Sequence, residues 1–420
     1  MNFSAPSLHA RVFVSSEHKA AIVQQYATAA AIRSKEKLTA PSPDSIQIPL
    51  TAVSLNEGDG RGSFDAYINI SFQGPTSNTP FVTLLLDSGN STLIVPSWES
   101  IQNLPGYTVL ADGTKDGFTE PWGCPANIVM GPINITDQSG NTVCSIPNCV
   151  FYACTGPGDA SDPGRTANFG AACLSPWSAS GWNNPTNPKP PYNNLLTSPM
   201  QAPLSYLSYP YAEFNYAPAM EIYGSAGTPK LTTSSSLVLY TTLPAGYATT
   251  FSIIKDLAWM ALTAKALTIG AVRTAWPAGP PPPSAPPPLT PMVAMIDTGG
   301  GPVFLSDSDG YVCDRPWPDP VQNPCWTSDP DPKSTDCESI SGAIAITLGD
   351  DTDSISYIID PSLFPPSVQN LTLVMCKVNG YMRNLRGMNI GGISALVNYI
   401  LVDYKNCRVG LKPKLPAPAP

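Results

Sequence analysis

Apolar and polar residues alternate with a period of two over much of this chain. Phe64-Asp65-Ala66-Tyr67-Ile68-Asn69-Ile70 and the stretch from Phe81 to Leu86 read as strands. Ala126 to Ile135, Ser236-Leu237-Val238-Leu239-Tyr240, Trp259 to Ile269, Val397 to Asp403 and Arg408 to Leu411 add further short apolar runs. Only residues 17–36 carry a helical period, with Ala21, Ile22, Tyr26, Ala29, Ala30 and Ile32 on or near one face. Residues 37–46 are rich in Pro and Ser and read as a linker, and 155–200 read as loop. Ala278 to Pro291 holds eight prolines in fourteen residues and predicts a stiff, exposed polyproline insertion. With 48 prolines and 32 glycines, the chain fits many strands joined by turns. The expected fold class is all-β.

Two strings share one pattern: Leu84-Leu85-Leu86-Asp87-Ser88-Gly89 and Ala294-Met295-Ile296-Asp297-Thr298-Gly299. Each has three apolar residues, an Asp, a hydroxyl residue and a Gly, followed by a second apolar run (Leu93-Ile94-Val95; Val303-Phe304-Leu305). An acid at the end of a buried strand is costly unless it is hydrogen-bonded or needed. Its appearance twice argues for two related halves that each contribute one carboxylate. Two carboxylates brought together can share a proton, one acting as base while the other acts as acid.

Composition narrows the alternatives. At 420 residues the chain can bury two cores. Charged residues make up 13% of it and the net charge is −9, so no basic patch is available to neutralise nucleic-acid phosphates. The two histidines, His9 and His18, precede any core segment, which disfavours Ser-His-Asp and Cys-His nucleophiles and a His-built zinc site. No metal or cofactor is expected. No run approaches the ~20 apolar residues of a membrane-spanning helix.

Ten cysteines, an even number, suit an oxidising compartment. Cys313 and Cys325 bracket a Pro- and Trp-rich insertion and are expected to pair. Cys124, Cys144, Cys149, Cys154, Cys173 and Cys407 have a connectivity that spacing leaves open. Sequons at Asn2, Asn69, Asn134 and Asn370 point toward the secretory route. Met1 to Val14 shows no secretory signal, and the expectation is a secreted chain whose signal has been removed.

The paired Asp strings resemble those of the pepsin-like aspartic proteases. The resemblance extends to Met388-Asn389-Ile390-Gly391-Gly392 and the strands after it, which look like the family's C-terminal strands, and to Ala126–Ile135, similar to the strand leaving its active-site flap. It spans roughly residues 60–412 and is specific around the Asp motifs and the C-terminal strands. It implies a bilobal fold with a central cleft. Residues 1–46 form an N-terminal extension, 47–214 the first lobe, 215–412 the second and 413–420 a tail. The helix at 17–36 is then either the remnant of a pro-segment or a packing helix. The resemblance also implies a disulfide between Cys337 and Cys376. Asp87 and Asp297 would hold a water and act on it as base and acid. The hydroxyls of Ser88 and Thr298 would cross-link the two loops, and Gly89 and Gly299 would let backbone amides reach the carboxylates. A monomer is expected.

Three departures stand beside these matches. The position after each Asp-Ser/Thr-Gly normally carries a hydroxyl that bonds the outer carboxylate oxygen, and here it holds Asn90 and Gly300. Asn90 can still donate from its amide, whereas Gly300 has no side chain and loses the bond unless water substitutes. Such a bond contributes about 1.5–3 kcal/mol, or roughly one to two pKa units, so its loss is expected to raise the Asp297 side of the dyad. The flap Tyr is missing, and Pro121-Trp122-Gly123-Cys124-Pro125 occupies that region, so that Trp122 is either an aromatic lid or a surface side chain. Gly392 stands where the family commonly has Asp. Asn90 also begins a sequon, and no glycan is expected there because it would obstruct the dyad.

Two functions follow. The leading one is an aspartic endopeptidase that cleaves extended polypeptides by a two-Asp, water-mediated mechanism. The rival keeps the fold but not proteolysis: its cleft binds a ligand or performs other chemistry, such as cyclisation of an apolar small molecule.

Overall fold

The computed structural model describes residues 43–57, 61–72, 81–89, 92–116, 124–156, 167–171, 202–216, 222–223, 235–247, 249–253, 260–269, 272–275, 293–299, 303–307, 336–339, 343–349, 354–359, 374–377 and 386–414. The helix expected over 17–36, most of the 155–200 loop, the polyproline insertion, Asn2, Asn90, Trp122, Cys173, Gly300, Cys313, Cys325 and Asn370 lie outside them. The fold class is all-β. Among the described residues, helix is confined to Gly113–Asp116 and two 3-10 turns, Pro203–Tyr206 and Gly392–Leu396.

The strands form three sheets. In the first, strands Arg61–Phe72 and Phe81–Asp87 pair antiparallel, with Ile68 opposite Leu84. Arg61–Phe72 also pairs with strand Ala126–Thr136, which bends the sheet back on itself. The period-two pattern sets which side faces in: Ile68, Ile70, Leu84 and Leu86 all point into the main core and are fully buried.

The second sheet is built from the later half of the chain and centres on strand Val293–Ile296, flanked by Arg386–Ile390 and Ala261–Ile269. The third has six strands and joins the two halves: Ser45–Pro49, Ser236–Tyr240, Tyr211–Asn215, Asn398–Asp403, Arg408–Pro413 and Thr250–Ser252. The division at 214/215 does not foresee this sheet. Residues 45–49 and 211–215 pair with strands from the later half, while Ile222–Tyr223 adds to the first sheet beside Ser54 and Leu55. Periodicity identifies a strand and its buried face, but not its partner.

The first two sheets repeat one four-strand arrangement. Phe81–Asp87 runs parallel to Asn168–Gly170, which pairs antiparallel with Leu93–Val95, itself parallel to Thr142–Cys154. In the later half Val293–Ile296 runs parallel to Arg386–Ile390, which pairs antiparallel with Val303–Asp307, itself parallel to Val374–Lys377. The registers agree as well. Leu85, two residues before Asp87, faces Asn168, and Met295, two residues before Asp297, faces Asn389. The duplication inferred from two short strings is therefore a duplication of topology.

One apolar core runs through all three sheets, including Leu86 from the first, Ile296 from the second and Phe214 and Ile400 from the third. Burying each such side chain contributes about 1.5–3 kcal/mol. A smaller core lies on the other face of the first sheet, where Ile94, Ala126, Ile128, Val150, Tyr152 and Cys154 meet.

The Asn69 sequon requires a correction. Asn69 is buried, with its Oδ1 accepting a 2.8 Å hydrogen bond from Thr83 Oγ1, on a strand paired along both edges. That environment leaves no room for a glycan. Asn134 is half-buried and accepts from the Ser145 hydroxyl at 2.6 Å near the surface.

Candidate active site

Each repeated unit ends its first strand on an acid and then turns. Asp87 closes strand Phe81–Asp87, Asp297 follows strand Val293–Ile296, and both carboxyls are buried at 6% exposure. The turns interlock. The Ser88 backbone N–H donates to Thr298 Oγ1, and the Thr298 N–H donates to Ser88 Oγ, each at 2.9 Å. The Ser88 hydroxyl donates onward to the Ile296 carbonyl and the Thr298 hydroxyl to the Leu86 carbonyl, again at 2.9 Å. These four bonds form a closed, two-fold exchange that satisfies every polar atom it uses in a buried location.

The glycines next in line explain how the two acids come together. The Gly89 N–H donates to Asp87 Oδ1 at 2.7 Å, and the Gly299 N–H donates to Asp297 Oδ1 at 3.1 Å. A Cβ on Gly89 would lie 2.4 Å from Asp297 Oδ1, and one on Gly299 would lie 2.5 Å from the Asp87 carboxyl carbon. Each carboxylate thus sits against the glycine of the opposite turn, in space only a missing side chain can provide. The two carboxyl groups are hydrogen-bonded to one another.

Burial raises the pKa of Asp87 well above its ordinary value near 3.8, and the charge of Asp297 and the hydrogen bond to it push the same way. Donors from Asn168 and Gly89 oppose the shift. The proximity of the Asp297 charge thus adds to burial in favouring the protonated form of Asp87.

Asn168 is the site residue that the sequence reading missed. Its Nδ2 donates to Asp87 Oδ2 at 2.8 Å from a buried position on the neighbouring parallel strand. With Gly89 on Oδ1 and Asn168 on Oδ2, both oxygens of Asp87 have a protein donor. The second of these donors comes from another strand and not from the turn itself. A signal was available: Asn168-Phe169-Gly170 and Asn389-Ile390-Gly391 share an Asn-apolar-Gly pattern, and both occupy the strand beside an Asp strand. The site is buttressed from the third sheet, because the Tyr404 hydroxyl donates at 2.7 Å to the Ala171 carbonyl while the Ala171 N–H donates at 2.7 Å to the Asp87 carbonyl.

Strand Thr108–Ala111 pairs antiparallel with the start of strand Ala126–Thr136 in a hairpin whose connecting residues 117–123 lie outside the described residues. The hairpin root is tightly fitted. Gly113 donates to Asn127 Oδ1 at 2.9 Å, and a Cβ on Gly113 would lie 2.2 Å from the Ala126 carbonyl oxygen. On the far side of the second sheet, strand Asp336–Ser339 pairs antiparallel with Val374–Lys377 and sets Cys337 directly opposite Cys376. That register is within the Cα separation a disulfide spans.

Among the described residues no group of His, Cys, Asp and Glu side chains is arranged to hold a metal ion, and no helix is long and apolar enough to cross a membrane. No protein-family model matches the chain, and no curated protein sequence matches it either.

Proposed function

We propose that this chain is a pepsin-like, bilobal aspartic endopeptidase. The observation that carries the reading is the hydrogen-bonded pair of buried carboxyls, Asp87 and Asp297, held at the junction of two topologically equivalent units by reciprocal Ser88 and Thr298 bonds. A structural role alone gives no reason to place two acids together out of water, since their mutual repulsion and desolvation both oppose folding.

The chemistry follows from one shared proton. With the proton on Asp87, Asp297 is the base that takes a proton from a water as that water attacks the scissile carbonyl. Asp87 donates to the carbonyl oxygen as charge develops there, and a proton is then returned to the leaving amine. Asn168 and the Gly89 amide fix the plane of the Asp87 carboxyl, and Gly299 does the same for Asp297 from one side. The substrate on this reading is an extended polypeptide lying across the cleft between the two units. Secretion is part of the proposal, supported by the even cysteine count, the facing Cys337 and Cys376 and the accessible Asn134 sequon.

The direct test is incubation with a denatured protein across pH 3–7, with and without a peptide inhibitor carrying a tetrahedral hydroxyl in place of the scissile carbonyl. Inhibitor-sensitive cleavage is expected. A protein that cleaves nothing over the whole range yet binds an apolar small molecule in competition with that inhibitor would assign the cleft to the rival, non-proteolytic chemistry.

A further inference from the structure

Two cysteines meet at the root of the hairpin formed by Thr108–Ala111 and Ala126–Thr136. Ala126 pairs with Cys154 in the antiparallel ladder, and the Thr155 N–H donates at 2.8 Å to the Pro125 carbonyl, so the ladder continues one step past its last regular pair. Cys124, two residues before Ala126, therefore projects from the same face of the sheet as Cys154 and packs against the small core that Cys154 helps to form. Their thiols are within hydrogen-bonding distance, with the Cys154 thiol donating to the Cys124 sulfur.

We infer that Cys124 and Cys154 are a disulfide-forming pair that clamps the descending arm of the hairpin to the strand beneath it. The inference rests on the proposed protease reading, in which this hairpin belongs to the flap, for its functional meaning, but not for the bond itself. Spacing leaves the partners of both cysteines open, and only the ladder brings them together.

The two thiols are unequal in a way that suits stepwise oxidation. Hydrogen bonds from Cys154 and from the Gly156 N–H lower Cys124 to about 7, and it is half-exposed. Cys154 is buried at 2% exposure beneath it. Cys144 shows the contrast: burial without such donors pushes it up to about 12. A low-pKa, reachable thiol beside a buried second thiol is the arrangement of an attacking and a resolving cysteine.

The oxidant is a low-molecular-weight disulfide. The Cys124 thiolate attacks one of its sulfurs, forming a mixed disulfide and expelling one small thiolate. The Cys154 thiol then loses its proton and attacks the Cys124 sulfur, forming the protein disulfide and expelling the second small thiolate. Two electrons and two protons leave the protein, and the small disulfide becomes two thiols. The bond would tie the chain just before strand Ala126–Thr136 to strand Thr142–Cys154, whose end is already held by the 2.8 Å bond from the Trp98 N–H to the Cys154 carbonyl. Gly113 already fixes the ascending arm to Ala126 and Asn127. Oxidation would fix the descending arm at its root as well.

The test is peptide mapping of the full-length protein without reduction, after equilibration in an oxidised–reduced glutathione buffer and capping of remaining thiols. Cleavage after Tyr152 and before Asp137 places Cys124 and Cys154 on separate peptides, away from Cys144 and Cys149. The expected product is the Cys124 and Cys154 peptides joined, about 2 Da lighter than their sum. Capping of both, or linkage of either to another cysteine, overturns the inference. Amide exchange across Cys124–Ile128 should slow on oxidation in the wild type and not in Cys154→Ser; an equal response in the two proteins overturns the clamp. Neither readout needs proteolysis, so an inactive protein with the joined peptides removes the protease reading and leaves the bond standing.

Discussion

The Asn168 side-chain amide donates a 2.8 Å hydrogen bond to Oδ2 of Asp87 across two parallel strands. It is one of two protein donors that favour the ionised form of a carboxyl otherwise pushed toward neutrality by burial and by Asp297. Asn168→Leu removes that donor, so the pKa of Asp87 should rise further. The alkaline limb of the pH–rate profile should then move up by about one pH unit, since a hydrogen bond to a charged group contributes about 1.5–3 kcal/mol. Asn168→Ser, which keeps a donor, should recover part of the wild-type profile. An Asn168→Leu profile superimposable on wild type, at reduced stability, would make Asn168 a packing residue only.

The raised pKa of Asp87 also predicts how stability varies with pH. The native state binds more protons than the unfolded chain between the ordinary value near 3.8 and the raised native value. The contribution is therefore fully present below the ordinary value and is lost as pH rises through the native one. Asp87→Asn removes the titrating group. It should raise stability at neutral pH relative to wild type, with the difference shrinking toward pH 3.8, while abolishing cleavage. Denaturant melts of both proteins at several pH values measure this, and a variant less stable than wild type at neutral pH contradicts it.

The Ser88–Thr298 exchange predicts a stability cost. Ser88→Ala orphans the Thr298 N–H and the Ile296 carbonyl, and Thr298→Val orphans the Ser88 N–H and the Leu86 carbonyl, all in a buried location. Each unpaired buried group costs about 1–3 kcal/mol. The double variant should lose less than the sum, because the two hydroxyls belong to one network. Thermal unfolding of the three proteins tests this, and strict additivity would argue that the turns are not coupled.

The glycine contacts predict loss of activity without loss of fold. Gly89→Ala drives a methyl into the Asp297 carboxylate and Gly299→Ala drives one into that of Asp87. A displacement on the order of 1 Å at a reacting group can cost about a hundredfold in rate. Both variants should keep a cooperative melt and lose at least about that much kcat/KM. Near-normal turnover in either would mean that the carboxyls need not be so close.

What could be read from the sequence depended on whether a residue's meaning was local. Asp87 and Asp297 were legible because an acid closing an apolar strand is costly wherever it occurs, and two identical cases imply a pair. Ser88 and Thr298 came with them. Asn168 was not legible, because it lies 81 residues from Asp87 and acts only through the strand pairing between them. The third sheet was missed for the same reason, since Ser45–Pro49 meets Ser236–Tyr240 only in the fold. Asn69 read as a glycosylation site because a tripeptide does not say which face of a strand it occupies. The register that sets Cys337 opposite Cys376 and the approach of Cys124 to Cys154 both arise from strand pairing, which spacing alone does not give.

The facing pair makes a prediction of its own. Cys337 and Cys376 sit opposite one another in an antiparallel ladder, and mapping without reduction should recover them joined. Two capped thiols at these positions would remove one support for the secretory route.

The central claim is that Asp87 and Asp297 share one proton and cleave peptide bonds with it. The most direct measurement is the pH–rate profile for cleavage of a denatured polypeptide by the wild type, Asp87→Asn and Asp297→Asn. The wild type should give a bell, because activity needs one member of the pair protonated and the other ionised. Its alkaline limb should extend above the ordinary carboxylate range, as the raised Asp87 pKa requires, and both variants should be inactive at every pH. Cleavage that survives in either variant, or a wild type that cleaves nothing at any pH, contradicts the account.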